Sequence, residues 1–139
     1  MLLSAIVISS VAIAGVAFAF FTDAAGVASN QFTTTTLQPP TGTSAQNGTC
    51  VALTSVRVQV SWTATSSTFA DGYQIFRSTT AGGPYSSVGT VSGRTTTTYT
   101  DTTTTFSTTY RYVVQATKNV WRSTNSGEAS VTTPSSLCV

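Results

Sequence analysis

Few groups in this chain are able to act on a substrate. There is no histidine, which removes the commonest general base and metal ligand. The four carboxylates, Asp23, Asp71, Asp101 and Glu128, are far apart in sequence. Asp71 and Asp101 fall at expected strand ends, where turn geometry accounts for them without a calcium site. The single lysine, Lys118, falls in an expected loop, a poor place for a buried Lys–Asn isopeptide bond. No nucleophile elbow, phosphate-binding glycine loop, dinucleotide fingerprint or C-x-x-C pair is present. The expectation is a protein that is not an enzyme, with no catalytic residue, no cofactor and no metal site.

The remaining candidates concern contact and covalent stapling. Cys50 and Cys138 lack the close spacing of a metal site or redox pair. An even count in a chain that reads as exported favours one disulfide, contributing about 3 to 5 kcal/mol in the chain-entropy model; two buried free thiols are the alternative. Asn47-Gly48-Thr49 fits the N-glycosylation pattern and implies a surface loop if it is used, whereas Asn47-Gly48 as a plain tight turn explains it equally well. Trp121 and Arg122 fall in the loop between the last two expected strands, where an exposed Trp beside Arg would anchor a surface contact. The preferred alternative has Trp121 folded back on its own sheet or on a neighbouring subunit. The six basic residues are scattered singly, with no stripe able to track phosphates, so nucleic acid is not an expected partner.

The elements that would position these residues divide the chain in three. Met1–Phe21 carries no charge and no proline, and as a helix it would reach about 30 Å, the thickness of a bilayer's hydrocarbon core. Small residues recur there at four-residue spacing, Ala5 with Ser9, Ser10 with Ala14 and Gly15 with Ala19, a pattern that lets helix backbones approach closely. Bulky residues lie all round it, so the helix needs burial on every side, in lipid or among its own copies. A signal or anchor starting at its own Met normally has Lys or Arg ahead of the apolar run. The run here starts at once, and the expectation is a short basic leader removed upstream of residue 1. Residues 1–30 are thus an expected filament-core or membrane helix, 31–40 a Thr- and Pro-rich linker, and 41–139 a β-domain.

Within 41–139, short alternating runs are separated by turn residues, the pattern of an all-β sandwich. Val56, Val58, Val60 and Trp62 alternate with Arg57, Gln59 and Ser61, and Tyr110, Tyr112, Val114 and Ala116 with Arg111, Val113 and Gln115. Tyr73, Ile75 and Arg77 share a face between them. Strands are also expected within Thr41–Val51, at Ser86–Val91, up to Asp101 and at the EASVTT ending, seven in all. The abundant Thr suits exposed strand faces, keeps them wet without charge, and offers sites for O-linked sugars.

Several of these features, in order, resemble a fibronectin type III domain over residues 39 to 135. They are Pro39-Pro40-Thr41-Gly42 leading into the first strand, Trp62 ending the second, GYQIFRSTTAGGPYSSVGTV, Thr108-x-Tyr110 opening the sixth, and NSGEASVTT. The resemblance implies that Trp62 packs in the core and that Tyr110 makes a tyrosine corner. The usual Leu-x-Pro-Gly before that tyrosine is replaced by Thr104 to Ser107, so the turn there is expected to differ. The sandwich also implies that Cys50 and Cys138 lie at one pole, within bridging reach.

The N-terminal part resembles type IV pilin-like filament subunits, with Ala5 where bacterial pilins carry Glu, a departure that favours the archaeal type. It also resembles camelysin-type matrix fibre proteins, whose junction reads like Phe21-Thr22-Asp23, Asn30-x-Phe32 and Leu37. There Ala17-Phe18-Ala19 would be a signal cleavage site and Phe32 to Leu37 a donated strand. The first resemblance sets the overall expectation. The class is α+β, a long N-terminal hydrophobic α-helix followed by a seven-stranded fibronectin type III sandwich. It implies an extracellular, cell-surface pilus-like filament whose partner is itself as a helical homopolymer, inserted in the membrane before assembly. Adhesion or motility, and surface or glycan ligands, follow from the same resemblance. The alternative is a secreted or membrane-anchored binding module, or a matrix fibre with a cleaved signal.

Overall fold

The computed structural model describes residues 35–52 and 55–135. Among these residues there is no helix, and the class is all β. This corrects the α+β expectation, which drew its helical part from an uncharged run whose residues lie outside those described. The packing positions expected on that run, Ala5, Ser9, Ser10, Ala14, Gly15 and Ala19, lie outside them as well.

Eight strands are present: β1 (Thr41–Ala52), β2 (Ser55–Thr63), β3 (Gly72–Ser78), β4 (Ser86–Ser92), β5 (Thr98–Asp101), β6 (Thr109–Lys118), β7 (Trp121–Arg122) and β8 (Ala129–Thr132). One sheet has the order β1-β2-β5, and the other β4-β3-β6-β7 with β8 also paired to β6. All pairings are antiparallel. The expected seventh strand is present as β8, and the expected loop before it holds an additional short strand, β7. Between β7 and β8, Ser123 and Ser126 keep the pairing with β6 through both backbone and side chain. Their amides donate to Ala116 O and Val114 O, and their hydroxyls accept from the amides of the same two residues at 2.9 and 3.0 Å. Ser, Asn and Gly in STNSG favour such local bonding over a regular ladder, which is why no regular strand forms there.

Alternation decides what the sheets bury. On β2 the inner face is Val56, Val58 and Val60, all fully buried, and Trp62; on β6 it is Tyr110, Tyr112, Val114 and Ala116. Burying each large side chain contributes on the order of 1.5–3 kcal/mol. Trp62 meets Tyr73 of β3 edge to face, with ring centroids 5.2 Å apart. The Tyr73 hydroxyl donates to Arg94 O and accepts from Thr65 N, so its burial leaves no polar atom stranded. Where Tyr99 of β5 crosses to the facing sheet, Gly89 of β4 makes room, since a Cβ there would lie 2.4 Å from the ring. Leu37 and Pro40, from the stretch expected as a linker, are buried against this domain. Thr36–Val139 is a self-contained unit with its own core, the property that lets a domain fold alone.

One polar cluster crosses between the sheets. Asp101, at the end of β5, has no exposed side-chain surface and pairs with Arg77 of β3 at 2.6 Å. It also accepts from the Tyr112 hydroxyl at 2.9 Å and from Thr103 N and Oγ1. Burial alone would raise its pKa, but the Thr103 bonds, the Tyr112 bond and the Arg77 charge together hold it below its ordinary value. The Tyr112 hydroxyl is pushed far up, first by burial and then by the Asp101 charge. The Arg77 guanidinium lies 4.7 Å from the centre of the Tyr110 ring.

Tyr110 itself forms a tyrosine corner, its hydroxyl accepting from Thr105 N at 3.1 Å. The departure from Leu-x-Pro-Gly changes the residues but keeps the turn. Thr104 fills the buried place six residues before Tyr110 and bonds Val56 O, and Ser107, three residues before it, takes φ 53°.

Ser107 is held in the left-handed region, which costs an L-residue roughly 1–2 kcal/mol, against the roughly 0.5–1 kcal/mol entropic penalty of glycine. Ser107→Gly is therefore expected to leave Tm unchanged or raise it, read by thermal denaturation. Asp101→Ala leaves Arg77 and Tyr112 uncompensated and is expected to cost about 3 kcal/mol or more in urea unfolding. In the wild type the Asp101 contribution is complete above the unfolded-state pKa and lost as pH falls through the lower folded value. Stability should thus be flat near neutrality and fall below about pH 4, and the fall should be shallower in Asp101→Asn.

Candidate functional site

At one end of the sandwich three connections meet: the β2–β3 loop, the β4–β5 turn and the β6–β7 hairpin. Lys118 and Trp121 are paired across a two-residue turn, Asn119-Val120, in which Asn119 has φ 51°. Asn tolerates this conformation better than other side chains, so the sequence permits a tight reversal here. The turn leaves Val120 86% and Trp121 58% exposed, the exposed large hydrophobics among the described residues. Phe69, half-buried in the β2–β3 loop, completes with Lys118, Asn119, Val120 and Trp121 a mainly apolar hollow of about 310 Å³.

This tip is held from below. Asp71 accepts from Lys118 Nζ at 2.7 Å and from Asn119 N at 3.1 Å, while its own amide donates to Thr117 O. The Lys118 bond first, then the Asn119 bond, keeps the exposed Asp71 carboxyl below its ordinary pKa. Arg122 donates through Nη1 to Asn119 O and Trp121 O and through Nε to Gln74 Oε1 at 2.9 Å. The hairpin is thus fixed on both sides before any partner arrives, which lowers the ordering cost of a contact. The expected alternative of Trp121 turned onto its own sheet is not what this geometry gives; the side chain stands largely in solvent.

The other expected site residues lie elsewhere. Asn47 sits within β1 rather than in a loop or tight turn, and its side-chain amide donates to Thr132 O at 2.8 Å, tying β1 to β8. Cys50 is disulfide-bonded; Cys138 lies outside the described residues. Among the described residues no group of three His, Cys, Asp or Glu could hold a metal ion. Sequence reasoning missed Phe69 and Val120 as surface groups and Asp71 as the clamp. The signal for the clamp was weak, an Asp-Gly step before a strand, and its partners lie 47 and 48 residues away.

No family model and no curated protein matches the sequence. Among solved structures, the chain is similar to an Fn3-like protein from Clostridium thermocellum, with 35% identity over 72% of this chain and 96% of that one, at a TM-score of 0.59. The chain belongs to the fibronectin type III family. The fn3 domain of the human collagen α-1(XX) chain aligns over 78% of this chain and 96% of that one, at 21% identity and a TM-score of 0.56. A β-1,2-glucanase from Parabacteroides distasonis matches at 20% identity and 0.55, over 13% of its own length. At those identities the last two show the fold alone. As a fibronectin type III domain, the chain places the connections before β3, before β5 and after β6 at a common pole, and the exposed apolar tip is at that pole. These relatives do not support a filament-subunit identity, and the residues that suggested one lie outside those described.

If the Asp71 clamp organises the tip, Asp71→Ala should speed amide hydrogen exchange at Asn119 and Val120 by about tenfold while Tm moves little, because the pair is exposed and adds little to global stability.

Proposed function

We propose that this is a non-catalytic, extracellular fibronectin type III binding module that makes its contact through the tip of the β6–β7 hairpin. The observation that carries the reading is the exposure of Val120 and Trp121 on a turn held by Asp71 and Arg122. An apolar side chain set in solvent on a fixed support costs solubility unless it is covered in use, and Trp and Arg are among the residue types enriched at the energetic centre of a contact. The disulfide at Cys50 supports an oxidising, exported setting. The likeness to an Fn3-like bacterial protein supports a modular role. The surface offers Thr and Ser hydroxyls in place of charge, which suits a module working across a range of ionic strength.

The test is retention of labelled residues 36–139 on cell envelopes of the producing organism. Trp121→Ser is expected to reduce retention about fivefold or more with Tm unchanged, a loss typical of one contact anchor. Equal retention of the two proteins would point to a spacer role instead and end this reading.

A further inference from the structure

We propose that the tip of the β6–β7 hairpin docks into the interfacial region of a lipid bilayer, with Val120 and Trp121 inserted and Arg94, Lys118 and Arg122 as a cationic rim. This rests on the surface-contact reading above and names what is contacted.

Three observations favour lipid. The first is the chemistry of the tip. A Trp prefers the boundary between headgroups and acyl chains, where its ring is apolar and its indole N–H stays wet, and Val120 and Phe69 extend the apolar area beside it. The second is charge. Arg94, Lys118 and Arg122 bond to Thr65 O, Asp71 and the Asn119 carbonyl around this end of the domain. The carboxylate among them is Asp71, since Asp101 is buried against Arg77 and Glu128 is bonded to Arg111 and Tyr85. The balance is positive, as an anionic headgroup surface requires, and long basic side chains can keep their heads in water while their stems cover apolar surface.

The third observation is where the chain enters the domain. Gln38 N donates to Ser67 Oγ at 2.9 Å and Thr65 Oγ1 to Gln38 O at 2.6 Å, so residues 36–38 lie against the β2–β3 loop, two positions from Phe69. The uncharged, proline-free run Met1–Phe21 ends fifteen residues upstream of Thr36. The chain thus enters the domain beside Phe69, at the pole of the apolar tip, and lipid is one of the two surroundings that the uncharged run permits. A glycan site, by contrast, needs free hydrogen-bonding groups beside the aromatic plane. Here Arg122 Nε is taken by Gln74, Gln115 by Asn125, and the hollow is walled by apolar surface.

The experiment uses residues 36–139, which lack the apolar run, with vesicles of phosphatidylcholine and phosphatidylglycerol at a 3:1 ratio. Co-sedimentation is expected, weakening in high salt as screening shortens to about 3 Å at 1 M. In a Trp62→Phe background, where Trp121 is the remaining tryptophan, its emission should shift to the blue on vesicle addition. Val120→Ser with Trp121→Ser should lower vesicle affinity about tenfold or more with Tm retained. Absence of co-sedimentation, or vesicle binding unchanged in the double variant, would overturn the proposal. Envelope retention that needs Trp121 without any vesicle binding would remove the lipid inference and leave the contact reading standing. Loss of both would remove both.

Discussion

The sandwich is organised by one buried carboxylate. Apolar faces alone tolerate sliding, because one valine replaces another at little cost, whereas a buried charge has to find its partners or lose several kcal/mol. Asp101 is reached from Arg77 on β3, Tyr112 on β6 and Thr103 beyond its own strand. Its position opposite Val58 on β2 and the Arg77–Tyr112 pairing are therefore set together. Arg77 in turn covers the Tyr110 ring, and the Tyr110 hydroxyl holds Thr105. Four strands and one loop are locked in register by a group that contributes almost nothing to the surface.

Asp71 plays a related part at the pole where the β6–β7 hairpin stands. Both carboxylates end or precede short strands, and both accept a backbone amide as well as a cation. What differs is the surrounding solvent. Asp101 works in a dry setting where its loss is felt globally, while Asp71 works in water, where its reach is limited to the turn it holds. A domain built this way can change its tip without disturbing its core.

The parts of the fold that were readable from the residues are those that depend on neighbours in sequence. Alternation along Val56–Trp62 and Tyr110–Ala116 named both central inner faces, and Trp62 and Tyr110 sit in the core and at the corner that the family resemblance implied. Arg77 was placed on the inner face of β3, but its partner, 24 residues away, was not, because cross-sheet register has no local signal. The loop expected around Trp121 is instead a paired turn, since Asn119 can take a left-handed conformation that most residues resist. Missing Leu-x-Pro-Gly suggested an altered turn before β6. The structure keeps the turn with Thr104 and Ser107, showing that the geometry constrains the positions more tightly than the residue types. The helical part of the expected class came from a run lying outside the described residues, where apolar character specifies burial without specifying by what.

The gap between β7 and β8 bears on how copies of this domain behave at high local concentration. A sheet margin with a continuous row of open amides and carbonyls is a template for another chain. Here the margin beside β6 is interrupted by Ser123 and Ser126, whose hydroxyls accept from the Ala116 and Val114 amides and donate onward to Thr124 O and Gly127 O. A stray strand approaching that side would find Thr124 O and Gly127 O already engaged, so two hydroxyls take up acceptors that an unbroken edge would leave open.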